Sequence, residues 1–408
     1  MRKDLRGFAR LIVTKPDFRK LWISHMVSLI GDWLSYIAVA VISVQKGDGA
    51  FAVGMVLFVH SLPTALMTPI AGPLADRLDR RWLIVGGYLG AASLTLGMWG
   101  AAQHGAVWLL QAVLFVRVCL SGVAMTARSA AIPSLVGRED LRLANALLGL
   151  TWSVMFAVGL SLGGFATEYL SPSGAILLDA MTFILAALVA SSLPALKPQL
   201  SAEGPPRVGF ADMHRAWRFV MARPQLMANV LAKTPPIIFN GGAWVTLNLV
   251  AGERLSALSV AVAIGVMQCV RAVGTGIGPL MPTSVIPRDP RVGSLVAFTG
   301  MALFVGFDAL WVSILALALW GVGQGHNWVI STAEVQARTP DHLLGRVAAT
   351  DLCLLSLGGA LAGVLAGWVS DRLGDPAAGA WVTFGLAALC WIYCLVLSRR
   401  GEGVEGEE

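Results

Sequence analysis

Asp32 stands about twelve residues into an apolar run that begins near Leu21. In a helix rising ~1.5 Å per residue that is roughly 18 Å, close to the middle of a hydrocarbon layer about 30 Å thick. His25, Ser28, Asp32 and Tyr36 follow one another at steps of 3, 4 and 4 residues and so share one helix face. An ionised group at the centre of a bilayer costs from about 3 to more than 10 kcal/mol, depending on the method, so such residues face a cavity or a partner. Two readings of Asp32 follow. Either it exchanges a proton or cation with a ligand as its surroundings wet and dry, or it is a fixed ion pair or kink cap beside Gly31. Arg117, midway along another apolar run, shares a face with Ser121 and Arg128 and is the cation within reach of such a carboxylate, as a switch or as a static pair. Asp179 lies about five residues from the end of its run and reads as a gate or an interface charge.

The second half of the chain carries more polar stripes. Asn229, Lys233, Asn240 and Trp244 lie on one helix, Gln268, Arg271 and Thr275 on the next, and Gln324, Asn327, Ser331 and Glu334 on a third. Lys233 is near enough to a helix end to snorkel. His326 is off the last stripe and reads as a satisfied core histidine, and Asp351 as a gate or interface charge. Polar stripes with Trp33 and Trp244 among them suit a large, mostly apolar, locally charged ligand. His25 and Asp32 supply only two ligands for a metal, too few for a site. The expectation is no metal and no cofactor.

Helices must position these groups. Of the 408 residues, 56% are hydrophobic and 13% charged, and mean hydropathy is +0.71; average soluble domains carry about 25% charged residues. Twelve helices are expected, at 21–44, 52–75, 82–102, 106–127, 143–169, 174–194, 226–250, 256–281, 292–310, 311–335, 346–370 and 378–398. The ninth and tenth share a run divided only by Asp308. With the N-terminus cytoplasmic, 24 of the 30 Lys and Arg fall in inner segments, three in outer loops and three within helices, which obeys the positive-inside rule with both termini inside. The net charge of +6 therefore belongs to a lipid surface, not to nucleic acid. The five cysteines all fall in helices without zinc or disulfide spacing. No Gly-x4-Gly-Lys-Ser/Thr phosphate loop occurs, so the chain itself does not hydrolyse ATP, and no enzyme site is expected.

The organisation expected is a cytoplasmic segment over 1–20, a six-helix bundle over 21–194, a linker over 195–225, a second bundle over 226–398 and a tail over 399–408. Within the linker, Phe210 to Met221 alternates apolar and basic residues at helical spacing, as a helix on the inner membrane face does. Gly72-Pro-Leu74 recurs as Gly278-Pro-Leu280, and Leu162-Gly-Gly164 as Leu357-Gly-Gly359, offsets near 200 residues that suggest a duplication.

Gly72-Pro-Leu-Ala-Asp76-Arg77-Leu-Asp79-Arg80-Arg81, a charged loop between the second and third helices, resembles the loop motif of the major facilitator superfamily, with Asp79 in a position usually held by glycine. The resemblance covers essentially the whole chain. Asp17 to Trp22, Gly31-Asp32-Trp33, Glu139-Asp140-Leu141 before Asn145-Ala146-Leu147, Asp179 to Phe183, and Leu344-Gly-Arg-Val347 are similar to the macrolide-efflux and enterobactin-exporter group, the drug:proton antiporters of type 3. The helix-five antiporter signature departs from the pattern at Leu160, in place of proline, and the spacing from Arg117 to Gly122 is five residues where the helix-four motif has four.

The resemblance implies an all-α integral membrane fold of two pseudo-symmetric six-helix bundles, in the cytoplasmic (cell inner) membrane, working as a monomer. It implies a secondary transporter: a proton-coupled exporter of amphipathic drugs or siderophores acting by alternating access, with small molecule, protons and bilayer as its partners. A lysophospholipid translocator of the same fold is the alternative, and a metal carrier or a non-transporting sensor are lesser ones. Coupling is expected at Asp32, Arg117, His25 and Tyr36. The substrate cavity is expected at Asn229, Lys233, Asn240, Trp244, Gln268, Arg271, Gln324 and Asn327. Gly72, Asp76, Arg77, Arg80 and Arg81 would form a cytoplasmic gate, with Asp76 at a helix N-terminus and the arginines bridging to neighbouring helices. Because Gly278-Pro-Leu280 lacks an Asp-Arg pair, the charged gate is expected mainly in the N-terminal half.

Overall fold

The computed structural model describes residues 2–137, 139–197 and 210–405, and among these all regular structure is helical. A short helix, α1 (Arg2–Thr14), precedes six long ones: α2 (Pro16–Lys46), α3 (Ala50–Arg77), α4 (Arg80–Gln103), α5 (Val107–Val136), α6 (Leu141–Tyr169) and α7 (Ser171–Ser191). Then come α8 (Phe210–Met221), α9 (Pro224–Leu231), α10 (Thr234–Arg254), α11 (Val260–Ile277, closed by a 3-10 turn), α12 (Pro290–Gly306), α13 (Leu310–Arg338), α14 (Asp341–Leu373) and α15 (Ala378–Glu405). Among the described residues nine helices are long and apolar enough to cross a membrane, namely α2 to α7, α11, α14 and α15. The other three expected spans fall on α9 with α10, on the shorter apolar α12 and on α13. Large apolar side chains such as Leu162, Phe165, Leu188, Leu361 and Leu389 stand exposed along these helices, as lipid contact requires.

Helix ends follow local chemistry. Pro16 opens α2 at a position where its missing N–H costs nothing, and Asp17 in that turn complements the helix dipole. Ser259 caps α11 by accepting from the Val262 N–H at 3.3 Å. Phe307 to Ala309 separate α12 from α13, and Asp308 at that break meets Arg254 at 3.0 Å.

Three details differ from the sequence expectation. The segment 1–20 holds a helix: α1 buries Leu11, packs Phe8 and Ile12 on the core of the first half, and ties Arg10 to Asp140 at 2.5 Å. The expected seventh helix, 226–250, is two helices broken at Ala232 and Lys233. Pro235 and Pro236 cause this: neither offers an N–H to the preceding turn, and proline rings clash with the turn before them. Third, packing divides the chain into two compact units that do not cut at the linker alone. One unit joins Met1–Val39 with Leu66–Val208, and the other joins Ala40–Ala65 with Gly209–Glu408. The end of α2 and the start of α3 therefore pack in the same unit as the helices after Gly209. The amphipathic segment of the linker forms α8 as expected, with Ala216 and Val220 buried against Leu226, Val230, Val335 and Val347; residues 198–209 lie outside the described residues.

Candidate functional site

In the first unit, three ionisable side chains from three helices meet. Arg117 on α5 reaches Asp32 on α2 at 3.0 Å and Asp179 on α7 at 2.7 Å. Its Nη1 also lies 3.3 Å from the Ser35 hydroxyl, and its guanidinium stacks 5.3 Å from the Phe183 ring centroid. Arg117 and Asp179 are fully enclosed, whereas the Asp32 side chain is 27% exposed, so Asp32 is the member open to a ligand or water. Asp179, read from the sequence as a gate or an interface charge, has its side chain fully enclosed within the unit: α7 places it one turn before Thr182, whose hydroxyl donates to the Asp179 carbonyl at 2.7 Å. Two carboxylates share one guanidinium, which leaves one negative charge unless a proton or cation joins them.

Glycine makes the meeting possible. A methyl group on Gly31 would strike Thr182 and the Asp179 carboxylate, so Gly31, beside Asp32, lets α2 and α7 approach. On α6, methyl groups at Gly159 and Gly163 would strike Trp33 and Ile37. The glycine pattern of the fifth span is thus a packing groove for the helix that bears Asp32. Trp33 packs on Phe156 and Trp152 at ring distances of 4.7 and 6.2 Å and meets Tyr36 edge-on at 5.6 Å. His25, two turns before Asp32, is buried, and its Nδ1 has no hydrogen-bond partner among the described residues.

The second unit holds its own buried pair. Lys233, at the break between α9 and α10, bonds the Asp351 carboxylate of α14 and lies 5.2 Å from the Trp328 ring. The sequence places Lys233 in the substrate cavity and reads Asp351 as a gate or interface charge, without pairing them. The missed signal is complementarity, since a buried cation and a buried acid in spans of one half tend to find each other. The break also leaves carbonyls without helical donors, and α13 supplies replacements. Asn327 Nδ2 donates to the carbonyls of Ala232 at 2.9 Å and Pro290 at 2.8 Å, and Ser331 donates to that of Asn229 at 2.7 Å. Asn327, expected to line a cavity, is committed to the backbone. Trp244 is 1% exposed and packs inside the unit, so it lines no cavity in this state. Gln268 accepts from Arg271 Nε at 2.9 Å, Arg271 stacks on Trp320 at 5.1 Å, and Trp320 donates to Gln324 at 3.2 Å, one chain of contacts between α11 and α13. Asn229 Nδ2 and Asn240 Oδ1 have no partners among the described residues.

The charged loop differs from the family pattern in a readable way. Asp76 lies in the last turn of α3, not at a helix N-terminus. Asp79 takes the capping role: its φ of −61° needs no glycine, and its carboxylate accepts from the N–H of Arg81 at 3.0 Å and of Leu196 at 2.9 Å. Arg80 donates to the carbonyls of Ala75 and Ala130 at 3.2 and 2.9 Å, and Arg81 to that of Ser191 at 2.5 Å, so both bridge to neighbouring turns. Arg77 is exposed and ends α3, and a methyl on Gly72 would meet nothing within 4 Å. The second half repeats the device, against expectation. Asp289 caps α12 by accepting from the Arg291 N–H at 2.8 Å, and Arg291 donates to the Ser398 hydroxyl of α15 at 2.7 Å. The counterpart of Asp79-Arg-Arg81 is Asp289-Pro-Arg291, displaced because the second loop is longer.

Comparison with known proteins agrees with this architecture. Residues 21–362 match the family model of the Major Facilitator Superfamily. The chain is 26% identical over 415 residues to the enterobactin exporter EntS of Salmonella typhi, covering 95% of this chain and 94% of that one. The EntS of Escherichia coli O1:K1 / APEC is 25% identical over 411 residues, covering 95% and 93%. Among solved structures, a single-residue variant of the nucleoside transporter NupG superposes with a TM-score of 0.74 at 11% identity, over 93% of this chain and 99% of that one. An inward-facing, occupied bacterial homologue of the human lysosomal transporter Spinster gives 0.70 at 14% identity, over 94% and 96%. Those structural likenesses concern the fold alone. With a family match across most of its length and apolar helices throughout, the chain is an integral membrane transporter belonging to the major facilitator superfamily.

Proposed function

We propose that this transporter is a proton-coupled exporter of amphipathic small molecules of the siderophore or drug type, in the cell inner membrane. The observation that carries the coupling is Arg117 bridging Asp32 and Asp179. With one proton on the carboxylates the cluster is neutral, and with none it carries a buried negative charge. A ligand that bears positive charge or donates hydrogen bonds to Asp32 therefore competes with the proton, and each lowers affinity for the other. Asp32, as the partly exposed member, takes the proton or ligand; Arg117 and Asp179 hold it in place. Export and the siderophore class are supported by relatives named enterobactin exporters over nearly the full length. The test is uptake into inverted membrane vesicles of a catecholate siderophore and, separately, of a cationic dye, with and without an imposed pH gradient. Gradient-dependent uptake of either is expected. Gradient-independent movement of lysolipid, with neither compound moved, would replace this reading by lipid translocation.

A further inference from the structure

The pattern Gly-x-x-x-Asp-Arg-Leu that runs from Gly72 to Leu78 at the end of α3 occurs again from Gly367 to Leu373 at the end of α14. The basic residue of the second copy, Arg372, belongs to the sparse outer-loop set, which puts this copy on the outer face. Its aspartate is engaged. Asp371 accepts from the Ala50 N–H at 2.6 Å and from the Phe51 N–H at 2.8 Å. These first-turn amides of α3 have no acceptor within their own helix, and a carboxylate there is also favoured by the helix dipole.

Glycines bring the two helices close enough for this contact. A methyl on Gly54 would strike the Gly363 carbonyl, and one on Gly367 would strike the Ala50 backbone. Gly49 takes a φ of +81°, and a Cβ there would strike the Asp371 carboxylate. Leu57, buried, packs its Cβ on Gly363. All of these residues lie in the second unit, although α2 and α3 run on into Leu66–Val208 and residues before Ala40, which belong to the first. The segment Ala40–Ala65 is thus attached covalently to one unit and by packing to the other.

We propose that Asp371 is an outer latch: its bond to the start of α3 holds the outer ends of α3 and α14 together in this state and releases during the transport cycle. This rests on the alternating-access reading above. An interaction through two hydrogen bonds to a charged group is strong enough to bias a two-state element and weak enough to break on a cycling timescale.

The test uses the full-length protein with its five native cysteines replaced and Leu57→Cys introduced, in right-side-out vesicles. The rate of labelling by a membrane-impermeant maleimide reports parting of the two helices. Asp371→Ala should speed labelling about tenfold, the scale of a lost carboxylate cap, and Asp371→Asn, which keeps one acceptor, by a smaller factor. Gly54→Ala, which wedges the seam without touching the carboxylate, should act in the same direction. Should the alanine variant fail to fold, the other two decide. Labelling within twofold of the parent in every folded variant overturns the latch. Labelling does not depend on substrate, so a chain that moves no solute with the proton gradient would sink the exporter reading while leaving this result intact.

Discussion

Arg117 is the residue on which the proposed coupling turns. Removing either carboxylate leaves a neutral Arg–Asp pair, whereas removing the arginine leaves two acids buried together. Asp32→Asn and Asp179→Asn should therefore fold normally, with Asp32→Asn losing gradient-driven transport. Arg117→Ala should destabilise by about 3–5 kcal/mol, the usual cost of stranding a buried charge, measurable as a fall in the detergent-solubilised melting temperature. Equal stability of Arg117→Ala and Asp32→Asn would show that the three groups do not act as one cluster. Asp32 and Arg117 were legible in the sequence because charges in apolar runs stand out. Asp179 was visible but its pairing with Arg117 was not, since residue counting along a helix gives depth and not the direction in which a side chain points. Its partner is reached only through the close approach at Gly31.

At the scale of elements, the break between α9 and α10 and the close packing at Gly31 set the geometry. Asn327 donates to the Ala232 carbonyl that Pro236 leaves without its helical donor, an acceptor it shares with the Ser294 hydroxyl, so Asn327→Leu should cost about 1 kcal/mol, read as lowered thermal stability. Gly31→Ala should cost a similar ~1–3 kcal/mol by overpacking and should weaken transport by moving Asp179 away from Arg117. A Gly31→Ala protein with parental stability and transport would remove the packing argument. Hydropathy locates the seventh span but not its interruption, whose signal is instead the Pro235-Pro236 pair behind the polar Lys233-Thr234. The role of Asn327 followed from that interruption and was hidden with it. Asp79 was readable only as a departure from a family pattern; its capping bonds to Arg81 and Leu196 show why glycine is not needed there.

At the scale of the whole molecule, the two halves carry the same cap on corresponding helices, Asp79 on α4 and Asp289 on α12. Asp79→Ala and Asp289→Ala should each cost about 1 kcal/mol, within the range of lost N-caps, and a marked inequality in their melting shifts would argue against equivalent roles. Composition made the membrane class legible. The allegiance of Ala40–Ala65 to the second unit was not, because it depends on contacts between residues some 300 positions apart, such as Asp371 with Ala50. The central claim is that a ligand and a proton compete at Asp32, Arg117 and Asp179. The most direct measurement is proton release into weakly buffered detergent solution when purified protein binds a transported compound, followed with a pH-indicator dye. The account predicts about one proton released per ligand bound by the parent protein, and none by Asp32→Asn with binding retained. Binding by the parent without proton release, or undiminished release by Asp32→Asn, would contradict it.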